Sequence, residues 1–137
     1  MTMVKAEVRL KGSKQSYSLT ALVDTGARMT LIDKALADRL GVEYTGRSLD
    51  FISISGHVVK SMEAVISELE LEGELLKYEA LAVANIPRRV KEALSKVGVD
   101  ENIVIGLLTL ERANLIPDTT TGALRKTESF ILQLRQS

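Results

Sequence analysis

A chain of 137 residues, 45% apolar and 26% charged, has the make-up of one globular domain (1–137) with a modest core. Its 18 basic and 18 acidic residues cancel, so no overall field favours nucleic acid or an anionic membrane. No cysteine and a single histidine exclude disulfides and leave zinc without its usual ligands.

In chain order, residues 4–10 alternate Val4, Ala6, Val8 and Leu10 with Lys5, Glu7 and Arg9, which predicts a half-buried strand. A turn at 11–15 returns the chain as a second strand over 16–23. Met29-Thr30-Leu31-Ile32 follows as a short apolar strand. Asp33 is placed to cap a helix with Leu36, Ala37 and Leu40 on one face, stopped by Gly41. Residues 49–55 and 57–66 predict a second hairpin tipped by Ser55-Gly56-His57. Further on, Val65, Leu69 and Leu71 are assigned to one side and Glu68, Glu70 and Glu72 to the other. Ile66 falls out of register with the glutamates, which predicts a bulge or twist near Ser67.

Gly73 turns the chain into a strand over 75–84. Pro87 opens a basic helix to 97 with Val90, Ala93, Leu94 and Val97 at helical spacing, and Gly98 ends it. Residues 102–106 predict a buried strand that runs into a short helix over 107–114. Pro117 ends that segment, 118–122 is a turn, and 129–134 is a last strand. The longest apolar-rich run, 103–110, is too short for a membrane-spanning helix. The opening Met-Thr-Met-Val-Lys-Ala-Glu lacks a signal-peptide core, so a cytoplasmic location is expected.

Ala21-Leu22-Val23-Asp24-Thr25-Gly26-Ala27 stands out chemically. An apolar strand ends on a carboxylate, whose desolvation costs several kcal/mol unless something binds or shares it. Thr25 follows with a hydroxyl, and Gly26 allows close approach of another backbone or a ligand. Ile103-Val104-Ile105-Gly106 echoes the layout: apolar strand, glycine, helix.

These residues resemble the Asp-Thr-Gly-Ala signature of the retropepsin-like aspartic peptidases, and Val104-Ile105-Gly106 is similar to the family's second motif, an apolar pair followed by glycine. The order of elements from 4 to 134 fits the family as well. The resemblance implies a mainly β, closed-barrel acid-protease fold with short helices. It implies Asp24 as the catalytic residue, with Thr25, Gly26 and Ala27 supporting its loop, and Ile105 and Gly106 as the second glycine motif. Residues 51–62 correspond to the flap, with Ser55, Gly56 and His57 at its substrate-facing tip. Retroviral members pair an acid two places after the first glycine with an arginine directly after the second; here those places hold Arg28 and Leu107. The helix over 87–97 is also additional, so the sequence resembles cellular, archaeal or bacterial single-domain members more than viral ones.

The family's chemistry implies an aspartic endopeptidase. One motif per chain implies a homodimer in which two Asp24 carboxylates activate a water against a peptide bond, with no metal or organic cofactor. The expected partners are a second copy and a peptide or unfolded protein, with neither nucleic acid nor membrane. The alternative is a non-catalytic retropepsin-like binding or dimerisation module.

Ordinary readings suffice elsewhere. Asp118 lacks a preceding apolar strand and reads as a turn residue. His57 beside Ser55 and Ser61 lacks a nucleophile elbow and reads as a solvated flap histidine. The glutamates at 68, 70 and 72 read as a strand's wet face, and Arg88, Arg89, Lys91 and Lys96 as a solvated helix face.

Overall fold

The computed structural model describes residues 3–52 and 58–127. Alternation sets the first hairpin: β1 (Lys5–Lys11) buries Ala6, Val8 and Leu10. It pairs antiparallel with β2 (Ser16–Val23), from Lys5 opposite Leu22 to Lys11 opposite Ser16. β3 (Leu31–Asp33) follows a short loop, and α1 (Lys34–Leu40) follows directly. The helix buries Leu36, Ala37 and Leu40 and ends at Gly41, whose φ of 82° is the left-handed conformation glycine supplies.

β4 (Glu43–Ile52), β5 (Val58–Leu71) and β6 (Glu74–Ala84) form an antiparallel meander. α2 (Arg88–Lys96), β7 (Ile103–Ile105) and α3 (Leu107–Ala113) come next, and β8 (Leu115–Asp118) pairs with β9 (Ala123–Lys126) as a separate small sheet. Six strands close on themselves in the order β1-β2-β7-β3-β6-β5, and β4 adds to the outside of β5. The protein is therefore mainly β, with a closed barrel and three short helices among the described residues.

Two apolar clusters fill it. Leu10, Ile32, Ile66, Leu69, Leu81, Ile103 and Ile105 lie in the main one, each fully out of solvent. A second joins Leu22, Ala27, Leu31 and Val104 to Val90 and Leu94 of α2. The additional helix thus covers a barrel face that apolar side chains would otherwise expose.

Four sequence expectations are corrected or relocated. β4 begins at Glu43 rather than 49; the polar run Glu43-Tyr44-Thr45-Gly46 hides it, and pairing with β5 shifts register between Tyr44 and Ser48 around Gly46 at φ 91°. On β5, Ala64 and Ile66 are the buried residues and Val65 is half-buried, so the inward phase changes between Ile66 and Leu69. The irregularity is shared across the ladder: Tyr78, opposite Ser67, sits at φ 56°, and the inward phase of β6 changes there too, which preserves register. Ala93 of α2 is exposed, because Val90 and Leu94 suffice to seat the helix. The helical segment that Pro117 is expected to end stops at Asn114, whose φ of 58° caps it, and Pro117 lies within β8, on a two-stranded sheet where a missing N–H is tolerated. The expected strand over 129–134 lies outside the described residues.

The glutamates expected on a wet face divide: Glu72 is exposed, whereas Glu68 and Glu70 are half-buried and both pair with Arg9. Glu68 accepts a hydrogen bond from Lys77 (3.1 Å), and chiefly for that reason its carboxyl is held below the usual carboxylate range.

Asp33 does more than cap a helix. Its Oδ2 accepts from the Ala35 N–H at 3.1 Å, and its Oδ1 accepts from the buried Ile86 N–H at 3.0 Å and pairs with Lys91 at 3.3 Å. One carboxylate that is 5% exposed thus fastens α1, the end of β6 and α2 together. Asp33→Ala is expected to destabilise the fold by about 3 kcal/mol, roughly 1 from the lost cap and the rest from the orphaned Ile86 N–H and the lost ion pair with Lys91, which keeps its bond to Asn102 Oδ1 at 3.1 Å. Urea unfolding checks it, with Asp33→Asn expected to lose less.

Candidate active site

The site is built where β2 ends. β7 lies between β2, which it pairs in parallel (Leu22 with Val104, Val23 with Ile105), and β3, which it pairs antiparallel (Leu31 with Val104). The loop over 24–30 must therefore cross the end of β7. Asp24 N–H donates to the Ile105 carbonyl at 2.9 Å and prolongs the parallel pairing by one bond. The chain then turns: Ala27 N–H returns to the Asp24 carbonyl at 3.1 Å, and Gly26 N–H donates to Asp24 Oδ1 at 2.9 Å.

That last bond fixes the carboxylate plane. A Cβ on Gly26 would lie 3.1 Å from Asp24 Oδ1, so the glycine keeps the N–H close to the acid. Asp24 is half-buried, Thr25 and Gly26 are exposed, and Ala27 is buried as the loop's anchor. Among the described residues Oδ2 receives no hydrogen-bond donor.

The second glycine motif meets this loop. The N–H groups at the start of α3 have no partner within the helix, and the loop supplies three. Leu107 donates to the Ala27 carbonyl at 2.7 Å, Leu108 to the Arg28 carbonyl at 2.9 Å and Gly106 to Thr30 Oγ1 at 3.0 Å. Gly106 has an ordinary φ of −101°, so conformational freedom is not what it provides. It provides space: a Cβ there would lie 2.4 Å from Met29 C and O.

Behind this junction runs a buried polar chain. Thr30 and Thr109 share a hydrogen bond of 2.7 Å, Thr109 donates to Glu79 Oε2 at 2.7 Å, and Arg112 pairs with Glu79 Oε1 at 2.8 Å. Thr30 and Thr109 are 0% and 1% exposed and Glu79 is 5% exposed, so each depends on the next for its hydrogen bonds. This chain ties α3 to the barrel without any pairing between positions 28 and 107. Sequence reading missed it; the available signal was a threonine inside each of two apolar runs, Met29-Thr30-Leu31 and Leu108-Thr109-Leu110.

The structure thus brings together Asp24, Thr25, Gly26, Ala27, Ile105 and Gly106. Ser55, Gly56 and His57 lie outside the described residues. Among the described residues no three His, Asp or Glu side chains converge to hold a metal ion, and no helix is long and apolar enough to cross a membrane.

A closed barrel whose Asp-Thr-Gly loop straddles an apolar-Gly strand is the fold of retropepsin-like aspartic proteases, and comparison with solved structures agrees. The EIAV protease, solved with the inhibitor HBY-793, matches with a TM-score of 0.53 at 19% identity, over 81% of this chain and 88% of its own. The retroviral protease-like domain of Ddi1 from Leishmania major matches with a TM-score of 0.59 at 18% identity, over 92% of this chain and 89% of its own. A family model described as aspartyl protease matches residues 6–111, and the chain belongs to that family. No curated protein matches it.

Proposed function

We propose that this chain is an aspartic endopeptidase, a single domain over 1–137, whose active site forms when two copies bring their Asp24 loops together about a two-fold axis. The observation that carries this reading is Asp24 itself. Its Oδ1 is held by the Gly26 N–H at 2.9 Å while Oδ2 has no donor among the described residues, on a loop braced by Gly106 in a member of the aspartyl protease family.

Two adjacent carboxylates hold one proton between them. The ionised member accepts a proton from a water that attacks the peptide carbonyl, and the protonated member donates to the oxyanion that develops. Thr25 braces the partner's loop, a role that its exposure in the single chain supports. The β4–β5 hairpin, residues 51–62 with Ser55, Gly56 and His57 at its tip, serves as a flap that excludes water and holds the substrate backbone as an added strand. The substrate is a peptide or unfolded protein, and a chain without cysteine suits a cytoplasmic setting.

Cleavage of unfolded casein across a range of pH, with pepstatin binding measured in parallel, tests the reading. Expected is pepstatin-sensitive cleavage that falls away on both sides of one pH optimum, as the pair loses its shared proton or gains a second. Binding of casein or pepstatin without cleavage at any pH would instead mark a non-catalytic binding module.

A further inference from the structure

Beside the Asp24 loop lies a pocket of about 380 Å³ that the chemistry above does not use. Arg28, two residues beyond Gly26, lines it with Met29, and Leu108 from the start of α3 and Leu49 of β4 complete an apolar wall. The pocket adjoins the Asp24 loop along the backbone: Arg28 and Met29 extend that loop, Leu108 N–H bonds the Arg28 carbonyl and Leu107 N–H bonds that of Ala27. Its far rim carries charge that is already matched: Arg47 pairs with Glu63 at 3.5 Å, and Asp50 with Lys60 at 3.1 Å. Arg28 is exposed and, among the described residues, has no ion pair. The pocket therefore joins an apolar half (Met29, Leu49, Ala80 and Leu108) to a charged half in which, among the described residues, the Arg28 guanidinium alone lacks an ion pair, and its planar fork suits a carboxylate.

We infer that this pocket is a specificity subsite that receives a substrate side chain with an apolar stem and a carboxylate end, glutamate above all, and that Arg28 selects it. The inference rests on the peptidase reading of Asp24 and names the substrate class of that site. An acidic side chain finds its counter-charge there, a neutral one of equal size leaves Arg28 unmatched, and a lysine meets like charge. Because the contact lies beside the reacting centre rather than on it, the selection acts mainly through KM.

A set of decapeptides carrying Glu, Gln or Lys at each position in turn reads this directly, as cleavage by the wild-type protein and as binding to Asp24→Asn. Expected at one position is a preference for Glu over Gln of about tenfold, weakening as salt is raised. Arg28→Gln brings the ratio close to one, and Arg28→Glu turns the preference toward Lys. Equal use of Glu and Gln by the wild type, or a preference that survives in Arg28→Gln, overturns the inference while leaving the peptidase reading in place. A Glu preference in binding to Asp24→Asn, with no peptide cut by the wild type, supports the subsite and overturns the peptidase. Failure of every peptide to bind overturns both. Dissociation of the dimer by Arg28→Glu, with the Glu-to-Gln ratio unchanged, would assign Arg28 to a contact with the second copy and overturn the subsite.

Discussion

Asp24→Asn is expected to lower peptide cleavage by about a thousandfold or more, since proton transfer by positioned carboxylates contributes on that scale. The change is nearly isosteric. An amide oxygen still accepts the Gly26 N–H now bonded to Oδ1 at 2.9 Å, so the loop keeps its shape and the chain its fold. What is lost is the ability to accept a proton from water. The dimer is expected to persist or to tighten, because replacing one carboxylate in each copy removes the repulsion that a shared proton only partly relieves. Thermal unfolding and solution mass separate the chemical loss from a structural one; a variant inactive because it has unfolded or dissociated would not fit.

Gly106→Ala carries the second large effect, this time on stability. The new Cβ would lie 2.4 Å from the Met29 carbonyl and 2.8 Å from the Thr30 nitrogen, all backbone atoms with no rotamer to yield. Relief requires α3 to move off the loop, which strains three bonds: Gly106 to Thr30, Leu107 to Ala27 and Leu108 to Arg28. Overpacking and the lost hydrogen bonds together are expected to cost about 3–5 kcal/mol. Gly73→Ala is a useful contrast, because Gly73 has a φ of 84° and a Cβ added there would meet nothing within 4 Å. Only backbone strain applies there, and about 1 kcal/mol is expected. Equal losses in the two variants, measured by urea unfolding, would remove close packing as the reason for glycine at 106.

Much of this architecture is legible in the residues because local and tertiary demands coincide. Val8 and Leu10 alternate with charges, and they do form a strand with one face in the core. Asp33, Leu36, Leu40 and Gly41 mark both ends and the buried face of α1. The Asp-Thr-Gly and apolar-Gly motifs mark the loop and the strand it crosses. What the sequence hides is what depends on distant partners. The start of β4 is polar throughout, since it adds to the outside of β5 and needs no apolar face there. The change of phase at Ser67 and Tyr78 belongs to two strands at once. Glu79 reads as one more charge on a strand, and becomes intelligible only when Thr109 and Arg112 arrive from α3. The pocket at Arg28 is equally invisible, being assembled from separate segments of the chain.

The central claim, one active site made from two Asp24 residues, is tested most directly by mixing. Wild-type and Asp24→Asn proteins are combined in equal amounts, allowed to exchange subunits, and compared with the same total concentration of wild type. If both aspartates of a dimer are needed, only wild-type pairs are active, and activity falls to about one quarter by random pairing. Activity at one half, as independent chains would give, would contradict it.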